Sequence, residues 1–188
     1  GNTFQWYASD NVNISGESLT TQTTSLINDV LTNISGTTES VVYTIIPFNN
    51  NGCTGDPFYI TVNIQSEPVG INQDLDICSG LGLNVNLDDY VSMSNVTFSW
   101  SGVLNSNVLG ITTTTQYTSN IADFLTNVSL VDQLVVYTVI PSYNGSCVGD
   151  SFTVTVTVHP KPQGAGQIET VCSNNLLNLN LNLFTTLT

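Results

Sequence analysis

From Phe152 onward the chain alternates cleanly: Phe152, Val154, Val156 and Val158 are apolar, while Thr153, Thr155 and Thr157 are polar. A period of two marks a β-strand with one buried and one wet face. Residues 135–141 form a second β-branched run, Val-Val-Tyr-Thr-Val-Ile-Pro, and Asn144-Gly145 lies between the two runs. Two such runs around an Asn-Gly pair predict a hairpin over residues 135–158. The same pattern occurs once more, at residues 41–64.

That recurrence has a fixed spacing. Cys53 and Cys147 lie 94 residues apart, as do Trp6 and Trp100, Gly16 and Gly110, Pro47 and Pro141, and Pro68 and Pro162. Leu31-Thr32-Asn33 returns as Leu125-Thr126-Asn127, and Cys78-Ser79 returns as Cys172-Ser173. No insertion is needed from Thr3 to Gly70. A fixed long period is the signature of a tandem array. It divides the chain into residues 1–70, the C-terminal three-quarters of a first β-sandwich repeat; residues 71–164, a complete repeat; and residues 165–188, the N-terminal strands of a further one. The 188 residues amount to two periods. Either the chain is a window on a longer covalent array, or residues 165–188 complete the first repeat of a neighbouring chain by strand exchange.

Within one repeat, residues 74–78 read as a short strand turned at Ser79-Gly80-Leu81-Gly82. Leu83, Val85 and Leu87 alternate with Asn84 and Asn86 as a second strand. The alternation is clearer one copy on, where Leu177, Leu179, Leu181 and Leu183 are separated by asparagines. Residues 96–100 form a strand carrying Trp100, placed at the centre of the core with Trp6, Phe58, Phe152, Tyr43 and Tyr137. Residues 105–118 suit a loop with edge strands. Ile121, Phe124 and Leu125 fit one helical turn, although a strand or loop fits nearly as well. Pro68, Pro160 and Pro162 stiffen the connections towards extended backbone. Short strands, frequent turns and a core Trp predict an all-β fold of tandem immunoglobulin-like Greek-key sandwiches.

Charge narrows the partners. Fourteen acidic side chains face a single basic one, for a net charge of −13. Nucleic acid and anionic membrane surfaces both demand Lys and Arg, so neither is an expected partner. No apolar run approaches the ~20 residues of a membrane helix, so no direct insertion is expected. Four cysteines in two register classes suggest disulfides in an oxidising compartment. The pairing expected within one repeat is Cys78–Cys147, with Cys53 and Cys172 pairing to adjacent copies. Cys53–Cys78 is the rival, and four reduced thiols the bland alternative. No Cys-x-x-Cys is present to bind a metal.

Catalytic material is scarce. His159 is the only histidine and aligns with Gln65, so a solvated strand-end histidine is the plain reading and no enzyme is expected. Asp88 and Asp89 are adjacent, which on a strand points them to opposite faces and suits a turn or cap. Asp74, Asp76, Asp88, Asp89 and Glu67 could gather as hard oxygen ligands for calcium, the one cofactor these residues suggest, against a default of a solvated acidic surface. Asp29 and Asp123 recur ahead of Leu-Thr-Asn, which points to turn hydrogen bonding. Asn-x-Ser/Thr occurs at Asn13, Asn33, Asn95, Asn127 and Asn144. In a eukaryotic host these would be glycan sites; in a bacterial protein they are products of composition.

Thr97-Phe98-Ser99-Trp100, Leu125-Thr126-Asn127, residues 136–141, Cys147-Val148-Gly149-Asp150 and residues 156–162 together resemble the PKD-like repeats of Bacteroidota cell-surface proteins, the gliding-motility adhesins among them. No Trp-Asp-Phe-Gly-Asp-Gly run follows the strand tryptophan. The resemblance implies a β-sandwich module repeated many times, exported by the type IX system and displayed on the bacterial cell surface. The function expected is a structural and adhesive module of a repetitive extracellular filament, a stiff stalk whose partners are neighbouring repeats and surface glycans. Two alternatives stand beside it: a subunit that polymerises by strand exchange, and a carbohydrate-binding or spacer module of a secreted enzyme, with Tyr7, Tyr117 or Tyr143 stacking on sugars.

Overall fold

The computed structural model of the chain describes residues 2–185. In the first repeat the strands are β1 (Thr3–Ala8), β2 (Ile14–Ser15), β3 (Thr32–Asn33), β4 (Glu39–Phe48) and β5 (Phe58–Ile64). The second repeat opens with β6 (Gln73–Cys78), β7 (Leu81–Gly82) and β8 (Val85–Asn86), then a 3-10 turn over Leu87–Tyr90. It continues with β9 (Val96–Gly102), β10 (Val108–Leu109), β11 (Asn120–Ile121), β12 (Phe124–Asn127), β13 (Gln133–Tyr143), β14 (Cys147–Val148) and β15 (Phe152–His159). A second 3-10 turn, Leu181–Phe184, lies in the third segment.

The two repeats superpose by register. Antiparallel β13 and β15 pair Val139 with Phe152 and Gln133 with Val158; β4 and β5 pair Ile45 with Phe58 and Glu39 with Ile64. Strand β9 flanks β13 as β1 flanks β4. The Asn144-Gly145 turn has positive φ at both residues, 50° and 70°, the backbone twist that closes a hairpin. The difference lies on the far edge. In the second repeat β6 adds to β15 in parallel, from Val154↔Gln73 to His159↔Cys78. In the first repeat the sheet ends at β5.

The facing layer of the second repeat is β10-β12-β7 together with β11-β8. Ile121 and Leu125 sit in strands β11 and β12, where the sequence also allowed a helical turn: pairing of Ile121 with Val85 and Leu125 with Leu81 overrides the short helical spacing. The second predicted strand is cut short after Asn86, whose side chain accepts a bond from the Asp88 amide and starts the 3-10 turn. The paired aspartates therefore sit in a turn. The leucine-asparagine alternation of residues 177–183 forms no strand; its leucines are exposed. A strand needs a ladder partner, and among the described residues no strand pairs with residues 177–183, whose Asn182 and Leu183 amides bond locally to Asn180 instead.

Each core is built around a Trp–Tyr pair in edge-to-face contact, Trp6–Tyr43 at 5.9 Å and Trp100–Tyr137 at 5.8 Å between ring centroids. The indole N–H donates to a backbone carbonyl in both, Thr24 and Thr118. Gly16 and Gly110 both take positive φ, and a Cβ at either would stand 2.0 Å from a carbonyl oxygen, of Val30 or Phe124. Only glycine fits there. Compactness divides the chain differently from the repeat. One unit runs to Val69 and takes in Ser92–Val96 and Ser142–Asp150; the other takes Gly70–Val91, Thr97–Pro141 and the chain from Ser151.

Candidate functional site: the open edge of the first repeat

Alternation in β5 puts Phe58, Ile60, Val62 and Ile64 on one face, as in β15. In β15 that face is sealed: Phe152 is 3% exposed and Val154 0%. In β5, Phe58 is 45% exposed and Ile60 44%. The expected core position of Phe58 is thus corrected, while Trp6, Trp100, Phe152, Tyr43 and Tyr137 are buried. The cause is visible in the second repeat. There Leu83, Val85 and Leu87 are buried, Val85 paired with Ile121 and the Leu87 amide bonded to the Ser119 carbonyl at 2.8 Å. Residues 1–70 contain no equivalents of Leu83, Val85 and Leu87.

An apolar cavity of about 180 Å³ results, lined by Phe4, Trp6, Ile27, Ile45, Phe58 and Ile60 with Thr24 and Ser25. Ser25 and Ile27 hold the register of Ser119 and Ile121. The cavity therefore lies where the second repeat receives its own N-terminal strands. Beside it, the outer edge of β5 presents unpaired backbone groups, a template for a further strand. The chain also carries the matching piece. Leu177, Leu179 and Leu181 hold the register of Leu83, Val85 and Leu87 and are exposed. Residues 167–172 hold the register of β6, are exposed and lie in no strand. That segment already has the local geometry of its counterpart: the Ala165 amide bonds to the Phe184 carbonyl at 2.9 Å, as Ile71 does to Tyr90.

Polar recurrence is structural. Asp123 accepts from the Thr112 amide (2.7 Å), the Thr112 hydroxyl (2.6 Å) and the Tyr137 hydroxyl (2.7 Å). Asp29 does the same with Ser18 and Tyr43. Burial raises the Asp29 carboxyl, but these bonds more than offset it and its pKa is lowered. Burial, then the Asp123 bond, pushes Tyr137 upward. The Asn127 side chain donates to the carbonyls of Val131 and Val158 and accepts from Ser129, and Asn33 repeats the pattern with Thr37, Ile64 and Ser35. Asn127 is a buried strand clamp. The recurrent Leu-Thr-Asn was the signal for it.

Other expected sites separate. Among the described residues no group of three or more Asp, Glu, His or Cys side chains is placed to hold a metal. Asp74 and Asp76 lie on β6, Asp88 and Asp89 in the 3-10 turn, and Glu67 ahead of the strand, so the calcium set does not gather. Asp76 instead meets His159 Nε2 at 3.3 Å, while Asp132 takes Nδ1 at 2.9 Å. The Asp132 bond first, with the charges of both carboxylates, raises the His159 pKa above its ordinary 6.5. Tyr117 is 81% exposed on a loop, Tyr7 is exposed on β1 and Tyr143 closes the hairpin. All four cysteines are free. Cys78 stands beside His159, at the C-terminal end of β15, whereas Cys147 pairs with Tyr143, beyond its N-terminal end. The eight residues of β15 span about 25 Å at ~3.3 Å each. A disulfide requires Cα atoms within ~7 Å, so the Cys78–Cys147 bridge within one repeat is corrected.

No helix among the described residues is long and apolar enough to cross a membrane. No curated protein matches the chain. The sequence model of a family described as PKD-like domain matches residues 1–68 and again residues 75–162. Its two matches fall on the two copies of the sandwich, and the chain belongs to the PKD-like domain family.

Proposed function

We propose that this chain is a structural and adhesive module of a repetitive extracellular filament or giant adhesin, carried on a bacterial cell surface and acting as a stiff stalk. One observation carries the reading. The same hairpin register, Trp–Tyr pair and asparagine clamp recur in both copies, as in links of one series. Family membership supports a non-catalytic extracellular role, and the neutral Thr and Asn on the strand faces offer hydrogen bonding to glycans. Buried Pro68 supports a stiff connection. The test is the mass of the native polypeptide under denaturing, reducing conditions, with surface labelling of intact producing cells. A mass far above 20.2 kDa and a labelled surface are the expected results. A 20.2 kDa polypeptide retained inside the cell contradicts the proposal.

A second reading is favoured by the exposed leucines of residues 177–183. Here the chain is itself a subunit, and residues 165–185 of one copy complete the first repeat of the next by strand addition. Sedimentation of the purified chain distinguishes the two. Concentration-dependent polymers that dissolve when Leu177 and Leu179 are changed to Asp support strand exchange, and a monomer at every concentration removes it.

A further inference from the structure

The cysteines carry a rule of their own, resting on the array reading above. Cys147 Sγ lies 3.2 Å from Gln65 Oε1. Gln65 holds the register of His159, and His159 is the cross-strand partner of Cys78. Partners in a parallel ladder project to the same face, and Asp76, two residues before Cys78, reaches His159 on that face. In a completed first repeat, the cysteine of the Cys78 class would therefore stand beside Gln65, on the side from which Gln65 already touches Cys147. We infer that the cysteine of the Cys78 class in each repeat bridges the cysteine of the Cys147 class in the next, stapling consecutive repeats.

The rule uses every cysteine in an array of these chains. Cys78 joins Cys53 of the following copy, and Cys172 joins Cys147 of the following copy. Cys53, Cys78 and Cys172 are exposed and Cys147 is partly so, leaving each thiol reachable. Chemically, one Sγ–Sγ bond forms and two S–H bonds break. The two electrons and two protons pass to the disulfide of a thiol–disulfide oxidoreductase, which leaves as a dithiol.

The test is a head-to-tail fusion of two copies of the whole chain, oxidised with a glutathione redox couple, alkylated and mapped by mass spectrometry without reduction. Two linkages are expected, Cys78 of the first copy to Cys53 of the second and Cys172 of the first to Cys147 of the second, leaving half the thiols alkylated. Cys78–Cys147 linkages within a copy, or eight alkylated thiols, overturn the rule. Because the copies are covalently joined, neither outcome depends on whether the native chain is long or assembles from subunits. A second variant checks the contact itself. Q65C in the single chain is expected to give a monomeric, reductant-sensitive crosslink to Cys147, and Q65C remaining fully alkylatable after oxidation contradicts the placement.

Discussion

Phe58 and Phe152 hold the same register in two copies of one sequence, yet the first is half exposed and the second is sealed. The same holds for Ile60 and Val154. Their own strands are nearly alike, so the strand does not decide the burial. What decides it is the segment β6 to β8, some seventy residues earlier in the second repeat, whose equivalents are not among residues 1–70. A sandwich closes only when both layers and the sheet edge are occupied. A closed sandwich therefore needs the N-terminal quarter of the repeat, and residues 1–70 by themselves keep the hairpin and the Trp–Tyr pair around an apolar groove.

The contrast can be broken most strongly at its centre. Trp100→Ala should cost the second repeat about 3–5 kcal/mol, because a buried indole leaves a cavity the sealed core cannot fill. Trp6→Ala should cost less, since Trp6 already borders open space. Hydrogen exchange resolved by repeat reads both. The next effect sharpens the contrast by removing it. Fusing a second copy of residues 71–94 ahead of residue 1 should stabilise the first repeat by about 2–4 kcal/mol through burial of Phe58 and Ile60. The emission of Trp6 during unfolding of a Trp100→Phe background reports it, and an unchanged midpoint would argue against the groove as a receptor for that segment.

Smaller still is the hydroxyl–carboxylate pair. Tyr137→Phe should destabilise by about 1.5–3 kcal/mol, the usual value of a hydrogen bond to a charged group. Tyr43→Phe should cost less because Asp29 is more exposed than Asp123. The lowered pKa of Asp29 means that its contribution is present above the unfolded carboxylate value and lost as pH falls through the folded one. The smallest effect belongs to His159, replaced by Gln65 in the first repeat. Its raised pKa makes its ion pairs fully present below about 6.5, and they are lost as pH rises through the folded value. His159→Gln should flatten that part of the pH profile in the second repeat and leave the first unaffected.

Much of the fold was legible in the sequence. The period, both hairpins, the Trp strands and the first strand of the complete repeat follow from alternation and turn residues alone. Three things were not. The exposure of Phe58 depends on the part of its repeat that corresponds to β6 to β8, which the local pattern of β5 cannot show. The leucine run at residues 177–183 has perfect strand alternation but no ladder partner. The cysteine pairing followed sequence separation, whereas the parallel addition of β6 to β15 sends Cys78 to the opposite end of the sheet from Cys147. Asn127 was visible only as a recurrent motif; its clamp on the Val131 and Val158 carbonyls required the fold.

The central claim is that the first repeat is open along β5 and is closed by the segment that residues 71–94 provide. Amide hydrogen exchange across residues 58–64, measured in the chain as it stands and with residues 71–94 fused ahead of it, tests this directly. In the unmodified chain the β5 amides on the outer edge should exchange fast while those of β15 stay protected, and the fusion should bring β5 to the protection of β15. Equal protection of β5 and β15 in the unmodified chain would contradict the account.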